Sequence, residues 1–419
     1  MHVDDASLMD PEVQKSPYDY YRALREQAPV YQMPDTGAYI VSRYRDVQFV
    51  LKQPHIWAND LLGKAGVSMF QHEEAQAVLE ANGWARDTKL QSDPPEHQYY
   101  RDLISSSFTA NRVKALEPFI QEAVERLADS MAMDEECDFI ERFAAWLPIR
   151  VVTQLLGLPP SDAPQIRFWS DAWVEPLTSG ISKEREIEVA ELGVELQRYL
   201  AGWLDKKAAE PGEDVLSDLA TARFPDGTPV PMGEKIGLAE HLIVGGHETA
   251  GSGIALGLML LIQHPEVEAE LRNHPELLRN FVEETLRLES PSQGFFRFAM
   301  KDAEVGGVLI PQGSMVQVRF AAANRDPEQF PEPDKLDLHR PNAGSHLAFS
   351  RGEHHCIGAP LARLELHTSF RTLLDRFEDF AFAPGETLEM VPGLALRQLS
   401  TLRIRYRHRA RSGEMDGME

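Results

Sequence analysis

The sequence has very few cysteines: Cys137 and Cys356 are the only two in 419 residues. Two cysteines so far apart provide no disulfide framework and are typical of a reducing compartment, so we expect a cytoplasmic protein. Residues 1–15, MHVDDASLMDPEVQK, contain neither a basic segment nor an apolar core. They therefore predict neither a signal peptide nor a membrane anchor.

Positive charge is also scarce, with 42 Lys and Arg against 66 Asp and Glu and a formal net charge of −24. A chain this acidic is not expected to bind nucleic acid. A dinucleotide-binding G-x-G-x-x-G run is missing too, since the nearest candidate, Gly251-Ser252-Gly253, has Leu256 where the third glycine should stand. The cysteines are too few for an iron–sulfur cluster. Electrons for any redox reaction would therefore have to come from another protein.

The most informative stretch is residues 346–363, HLAFSRGEHHCIGAPLAR. Cys356 lies between Gly352 and Gly358, and Pro360 is placed for the first turn of a helix. The start of a helix stabilises a thiolate, and the glycines let the backbone approach a ligand closely. Three interpretations are open: a buried structural cysteine, a metal site shared with nearby histidines, and an axial thiolate ligand to heme iron. The nearby histidines are His346, His354 and His355.

The order F-x-x-G-x-H-x-C-x-G, formed by Phe349, Gly352, His354, Cys356 and Gly358, resembles the heme-binding loop of the cytochrome P450 family. The resemblance implies that the cofactor is heme b, that Cys356 binds its iron, and that Phe349 and Gly358 contact it.

A second motif, D-P-P-x-H-x-x-x-R, places His97 and Arg101 four residues apart on one helical face. Alone, the two would be interpreted as a solvated pair. The motif resembles the family's helix that binds a heme propionate, and the resemblance extends this role to Arg297 and His354. Charge-assisted hydrogen bonds to a carboxylate are the strong ones.

The longest helical pattern covers residues 234–263, and between Leu242 and Ile262 its only ionisable residues are His247 and Glu248. The length permits a transmembrane interpretation, but these two residues and the absence of basic flanks favour a helix buried in a large domain. Gly245 and Thr249 share one face. Resemblance to the family implies that Gly245 leaves room for heme and that Thr249 and Glu248 manage protons. The alternative is a threonine bonded to its own helix.

Glu284 and Arg287, three residues apart, could be a surface ion pair of little value. The spacing resembles the family's core pair, which Arg340 would complete. Alignment with the family also predicts a substrate pocket, closed by residues 60–90 and 168–181. Its lining would be Ile243, Val244, Gly245, Gln293, Gly294, Phe295, Ala395 and Leu396.

The resemblance implies a single domain, 1–419, with disorder in 1–14 and 410–419. Its fold would be mainly helical with a small β-rich lobe, and heme would lie between two long helices. The implied enzyme is a monomeric monooxygenase that inserts one oxygen atom from O2 into a small-to-medium apolar substrate. A ferredoxin and its NAD(P)H-dependent reductase would supply electrons. The alternatives are a peroxide-driven peroxygenase, a heme-based sensor and a structural protein without heme.

Basic residues cluster around the cysteine loop although the whole chain is acidic. Arg351 stands where the family pattern has a small residue, and Ser350 beside it stands where the pattern has a glycine. We expect this cluster to be the docking surface for an acidic ferredoxin. Its members are Arg112, Arg351, His354, His355 and Arg363.

Overall fold

Apolar residues at helical spacing dominate the sequence, and the computed structural model is correspondingly rich in helices. It describes residues 1–66, 68, 70–84, 89–177 and 181–409. The helices are α1 Pro11–Lys15, α2 Tyr18–Gln27, α3 Tyr44–Leu51, α4 Leu61–Ala65, α5 Glu73–Asn82, α6 Glu96–Ser105, α7 Ala110–Ala115, α8 Glu117–Met131, α9 Trp146–Leu155, α10 Ala163–Val174, α11 Lys183–Ala209, α12 Val215–Ala220, α13 Met232–Gln263, α14 Pro265–Asn273, α15 Leu278–Glu289, α16 Phe320–Ala323 and α17 Ala359–Arg376.

The strands are short and form a small β-rich lobe. They are β1 Val30–Gln32, β2 Tyr39–Val41, β3 Trp57–Ala58, β4 Glu136–Asp138, β5 Phe295–Ala299, β6 Ala303–Val305, β7 Val308–Ile310, β8 Met315–Val318, β9 Phe377–Phe382, β10 Met390–Val391, β11 Gln398–Leu399 and β12 Arg403–His408. The largest sheet has the order β1-β2-β8-β5-β3, in which β2 and β8 run parallel. A three-stranded sheet, β4-β12-β9, and two hairpins complete the lobe. The predicted fold class is confirmed.

Helix α13 runs through the centre of the fold and belongs to two hydrophobic clusters. Its first half packs with Leu196 and Leu200 of α11, and its second half packs with Phe370 of α17. At Gly257 an added Cβ would lie 2.3 Å from the Phe370 ring, so only glycine permits this close crossing of α13 and α17. Among the described residues, no helix has both the length and the apolarity that crossing a membrane requires.

Two expectations about the N-terminal part differ from the structure. Residues 1–14 are ordered, because Val3 and Leu8 are buried in a cluster with Tyr20 and Ile40. Residues 410–419 lie outside the described residues. Residues 55–91, whose mixed sequence predicts an irregular segment, contain α4 and α5. By contrast, residues 30–33 and 38–42 flank the turn Pro34-Asp35-Thr36-Gly37, a pattern that predicts a hairpin. This hairpin is present as β1 and β2, with Val30 opposite Val41.

The Glu284, Arg287 and Arg340 side chains form one buried network. Arg287 donates to both carboxylate oxygens of Glu284 at 2.5 and 2.9 Å, and Arg340 donates to the same group at 3.1 Å. The remaining donors of the two guanidinium groups bind backbone carbonyls between residues 324 and 335. The network therefore ties α15 to the segment that leads into the cysteine loop.

We expect Glu284→Gln to lower the free energy of unfolding by about 3–5 kcal/mol, because it leaves two buried guanidinium groups without a carboxylate. Urea denaturation measures this loss. Glu276→Gln is the matched control, since Glu276 is exposed and pairs with the exposed His274. A loss in Glu284→Gln no larger than in this control would contradict a structural role for the network.

Candidate functional site

The cysteine loop connects the β-rich lobe to the start of α17. The backbone N–H of Cys356 donates to the Phe349 carbonyl at 2.9 Å, which closes the loop. Gly352 has a φ of +75°, and a Cβ there would lie 2.5 Å from the Leu51 carbonyl oxygen, so this position requires glycine. At Gly358 the nearest atom to an added Cβ is the Cys356 sulfur at 3.8 Å. The two glycines thus permit the loop conformation that places the thiol at the N-terminus of α17.

The Cys356 thiol lies deep in the protein and is still accessible. The side chain is exposed, yet burial raises its pKa. A side chain with both properties faces an internal space. The backbone N–H groups of Gly358 and Ala359 and the charge of Arg101 act in the opposite direction and favour the thiolate. A cation bound to the sulfur would offset the remaining cost of its charge.

Gly245 opens the middle of α13 in a similar way. It is exposed although the residues before it, Ile243 and Val244, are buried. An added Cβ would meet only the His241 ring, at 3.9 Å, so the space in front of Gly245 is open. The Thr249 hydroxyl lies one turn further on and donates to the Gly245 carbonyl at 3.0 Å. This bond of Thr249 to its own helix is the alternative role that the sequence allows for the residue. The hydroxyl oxygen can still accept a hydrogen bond.

Three nitrogen-bearing side chains lie close together here, of which His97 and Arg297 are buried and His354 is half-buried. The charge of Asp93 acts on Arg297, but within the described residues no carboxylate forms an ion pair with it. The His97 and His354 rings lie 4.1 Å apart, and neither His97 Nδ1 nor His354 Nε2 has a hydrogen-bond partner among the described residues. Burial lowers the pKa of His97 to about 4 and that of His354 to about 3. Arg297 is also buried, and within the described part of the chain its hydrogen bond goes to the Phe296 carbonyl at 2.7 Å.

These three residues fit a ligand that carries carboxylates. A buried guanidinium without an ion-paired carboxylate is costly, and the two imidazole nitrogens that lack hydrogen-bond partners near it need a donor or an acceptor. The two propionates of heme would supply the charge and the acceptors. Arg101, the fourth residue predicted for this role, instead donates to the His355 carbonyl at 2.7 Å, so it supports the cysteine loop in this structure. The residues present fit heme.

Glu248 has neighbours that the family motif does not contain. It accepts a hydrogen bond from Gln398 Nε2 at 2.5 Å, and burial raises its pKa. His247 and Asp171 of α10 lie beside it. Sequence reasoning missed Gln398 and Asp171, because both come from distant segments. It also missed His241, which four-residue spacing from Gly245 could have identified.

Some of the residues expected to line a pocket are exposed or border a cavity, whereas others are buried between helices. Phe295 is 43% exposed, and Ala395 and Leu396 border a small cavity with Val174 and Gln398. Ile243 is fully buried between helices, since three consecutive helical residues cannot face the same side. Of the predicted closing segments, residues 67, 69, 85–88 and 178–180 lie outside the described residues.

The other two predicted positions have structural contacts. Gln293 is buried and accepts a hydrogen bond from the Tyr21 hydroxyl at 3.1 Å. Gly294 has a φ of +156°, and a Cβ there would lie 2.2 Å from the Val318 carbonyl oxygen. Both residues hold the start of β5, and through it they position Phe295.

The model of the cytochrome P450 family matches residues 214–401. Cytochrome P450 monooxygenase PikC from Streptomyces venezuelae is 37% identical over 99% of this chain and 97% of its own length. The 6-deoxyerythronolide B hydroxylase from Saccharopolyspora erythraea is 34% identical over 86% and 88%. The crystal structure of CYP109E1 from Bacillus megaterium in complex with testosterone has a TM-score of 0.83 and 29% identity, covering 94% of this chain and 99% of that chain.

We expect Arg297→Gln to weaken heme binding by about 10–100-fold, because a charge-assisted hydrogen bond contributes roughly 1.5–3 kcal/mol. The measurement is the rate at which the purified protein transfers heme to a heme-free globin. Arg405→Gln is the control, since Arg405 is exposed on β12. Equal transfer rates for the two variants would remove Arg297 from the carboxylate site.

Proposed function

Because this chain belongs to the cytochrome P450 family, which makes it a monooxygenase with heme b as its cofactor, we propose that Cys356 is the axial ligand of the heme iron. The observation that carries this assignment is the accessible thiol on a glycine-shaped loop at the start of α17, deep in the fold. The other cysteine, Cys137, is buried on β4, and burial raises its pKa to about 11, so it is a poor ligand.

Each residue around the space has a distinct task in this proposal. Gly245 gives the flat cofactor room against α13. His97, His354 and Arg297 bind the propionates, and Arg101 holds the cysteine loop through the His355 carbonyl. Phe349, whose ring lies 4.6 Å below the Arg363 guanidinium, supports the loop from the side of α17. Heme with an axial thiolate activates O2 so that one oxygen atom enters the substrate and the other leaves as water.

Glu248 and Thr249 manage the protons that this reaction consumes. Burial raises the pKa of Glu248, so the carboxyl group holds a proton more tightly than an exposed glutamate does. Thr249 follows it on α13, and its hydroxyl oxygen can accept a hydrogen bond while its proton is donated to Gly245. An acid next to an alcohol favours a monooxygenase over a peroxygenase or a sensor, which have no need of proton delivery to bound oxygen.

The substrate that we propose is an apolar organic molecule. Phe295 offers it an exposed aromatic face, and Ala395 and Leu396 add small and aliphatic surface. Among the relatives, one hydroxylates 6-deoxyerythronolide B and one was crystallised with testosterone, which favours a bulky substrate. Oxidation would be hydroxylation or epoxidation.

The first test replaces each cysteine in turn. We expect Cys356→Ala to lose heme, or to lose the thiolate-type spectrum that the reduced protein gives with carbon monoxide. Cys137→Ala is the matched control and keeps that spectrum. Product formation with ferredoxin, its reductase and NAD(P)H then confirms monooxygenation in the wild-type protein. A thiolate-type spectrum in Cys356→Ala would overturn the ligand assignment.

Electrons are proposed to come from a separate ferredoxin that docks over the cysteine loop. Arg351 and Arg112 form no ion pair within the described part of the chain, and their hydrogen bonds go to the carbonyls of Ser345 and Glu213. Arg363 is less available, since it donates to both oxygens of Glu283 at 2.6 and 2.9 Å. His354 is turned inward against His97, so the docking surface retains Arg351, Arg112, Arg363 and His355.

We expect Arg351→Glu to raise the ferredoxin concentration for half-maximal turnover by about tenfold at low salt, which corresponds to roughly 1.4 kcal/mol. Substrate affinity stays unchanged. The difference from wild type shrinks as salt rises, because at ordinary ionic strength screening shortens the range over which a surface charge acts to about 8–10 Å. Arg405→Glu makes the same charge change on β12. An equal response of both variants would place the docking surface elsewhere.

A further inference from the structure

Two carboxyl groups and one imidazole meet where α10 packs against α13. One ligand atom from each of Asp171, His247 and Glu248 lies within 4.8 Å of the others. His247 Nδ1 is 3.7 Å from Asp171 Oδ1 and 3.6 Å from Glu248 Oε1. Two carboxylates so close together in a partly buried place cannot both be ionised without a large cost. The pair therefore favours holding a proton.

His247 does not neutralise the pair. Its Nδ1 is 3.2 Å from the Ser170 hydroxyl, and the ring also forms a hydrogen bond with the backbone of Ala145. Burial lowers its pKa to about 4, so the imidazole is neutral near pH 7. The ring orients the two carboxyl groups, and the proton remains with them.

Arg167 compensates the pair only in part, through an ion pair with Asp171. Its Nε is 3.5 Å from Asp171 Oδ2, but both of its terminal nitrogens donate to Glu141 at 3.1 and 2.6 Å. Glu141 is 61% exposed, so the Arg167 guanidinium lies between Asp171 and the surface. Among the described residues, three charged or titratable groups face the pair. They are Glu141 in the segment before α9, Arg167 on α10 and His247 on α13.

The two carboxyl groups differ in their access to water. The Asp171 side chain is 47% exposed and the Glu248 side chain only 16%. Glu248 is held on its inner side by Gln398 and directly precedes Thr249. Asp171 is therefore the outer member of the pair and Glu248 the inner one.

We propose that Asp171 and Glu248 share one proton across the contact between α10 and α13, and that Asp171 returns a proton from solvent to Glu248 each time Glu248 gives one up. A proton leaves water and binds an Asp171 oxygen. The Asp171 O–H bond then breaks as a Glu248 O–H bond forms. Both groups end in their starting state, and no electrons move between them. The use of these protons in catalysis rests on the function proposed above.

The electrostatics of the pair suit this task. Burial and the charge of Glu248 raise the pKa of Asp171 to about 6, while the charge of Arg167, like that of a protonated His247, opposes the shift. A carboxyl group with this pKa is protonated and deprotonated in turn near neutral pH, which a relay requires. An aspartate with its ordinary pKa would rarely hold the proton.

Infrared spectroscopy of the heme-bound protein tests the shared proton without electrons or substrate. We expect the carbonyl stretch of a protonated carboxyl group to titrate near pH 6 in the wild type. This signal disappears in Asp171→Asn. In Glu248→Gln it moves to lower pH, because the neighbour that shared the proton is gone. Identical titrations in the wild type and Asp171→Asn would overturn the proposal.

Turnover tests the carrier role. We expect Asp171→Asn to form product about tenfold more slowly, less than the 10²–10⁴-fold typical of a lost general acid, since water can still reach Glu248. The solvent isotope effect rises, the acidic limb of the pH profile shifts, and substrate affinity is unchanged. Asp171→Glu, which keeps the carboxyl group, restores these properties. Full turnover with an unaltered isotope effect in Asp171→Asn would overturn the carrier role.

The two proposals fail in different ways. Loss of the function proposed above would appear as a wild-type protein without the thiolate-type carbon monoxide spectrum, whatever the infrared titration gives. A wild-type protein with that spectrum but no carboxyl signal near pH 6 would contradict the shared proton alone.

Discussion

A buried guanidinium that forms no ion pair with any described residue is the constraint on which the site depends. Arg297 lies on β5 in the interior, and burial lowers its pKa to about 10. Leaving a guanidinium in this state costs several kcal/mol. The two unpartnered imidazole nitrogens beside it point to the same missing anion. The polypeptide is thus complementary to an acidic ligand, and the family's cofactor carries two carboxylates. Cofactor binding and folding are coupled here, because the ligand supplies charge that the chain lacks.

The Cys356 thiol has the reverse problem, since a negative charge must be stabilised there. Helix N–H groups and Arg101 favour the charge, and burial opposes it. The position of the loop that carries the thiol therefore matters. Glu284 binds two arginines whose other donors hold residues 324–335, which precede the cysteine loop. A costly buried ion network is thus used for position rather than for stability.

Local signals were sufficient for much of this arrangement. Alternating residues around a turn predicted β1 and β2, and an uninterrupted apolar run predicted α13, because both depend on neighbours in the sequence. The structure brings His97 and His354 together and places Arg297 near His354. Tertiary contacts decide what local signals do not: Val3 and Leu8 order residues 1–14 by packing on Tyr20 and Ile40. Helical geometry also turns Ile243 away from Gly245, so a continuous stretch of α13 does not face one side.

The contact of α10 with α13 shows why a family motif does not describe a site completely. The motif gives Glu248 and Thr249, but an acid inside a protein delivers protons only as fast as they are replaced, and a second group between it and solvent speeds that replacement. That group must lie close to Glu248, reach water and have a pKa near neutrality. Asp171 meets all three conditions, and it does so from α10, where the neighbouring Ser170 is 77 residues away from its hydrogen-bond partner His247 in sequence. Its role follows from the packing of two helices, so it depends on how closely α10 approaches α13.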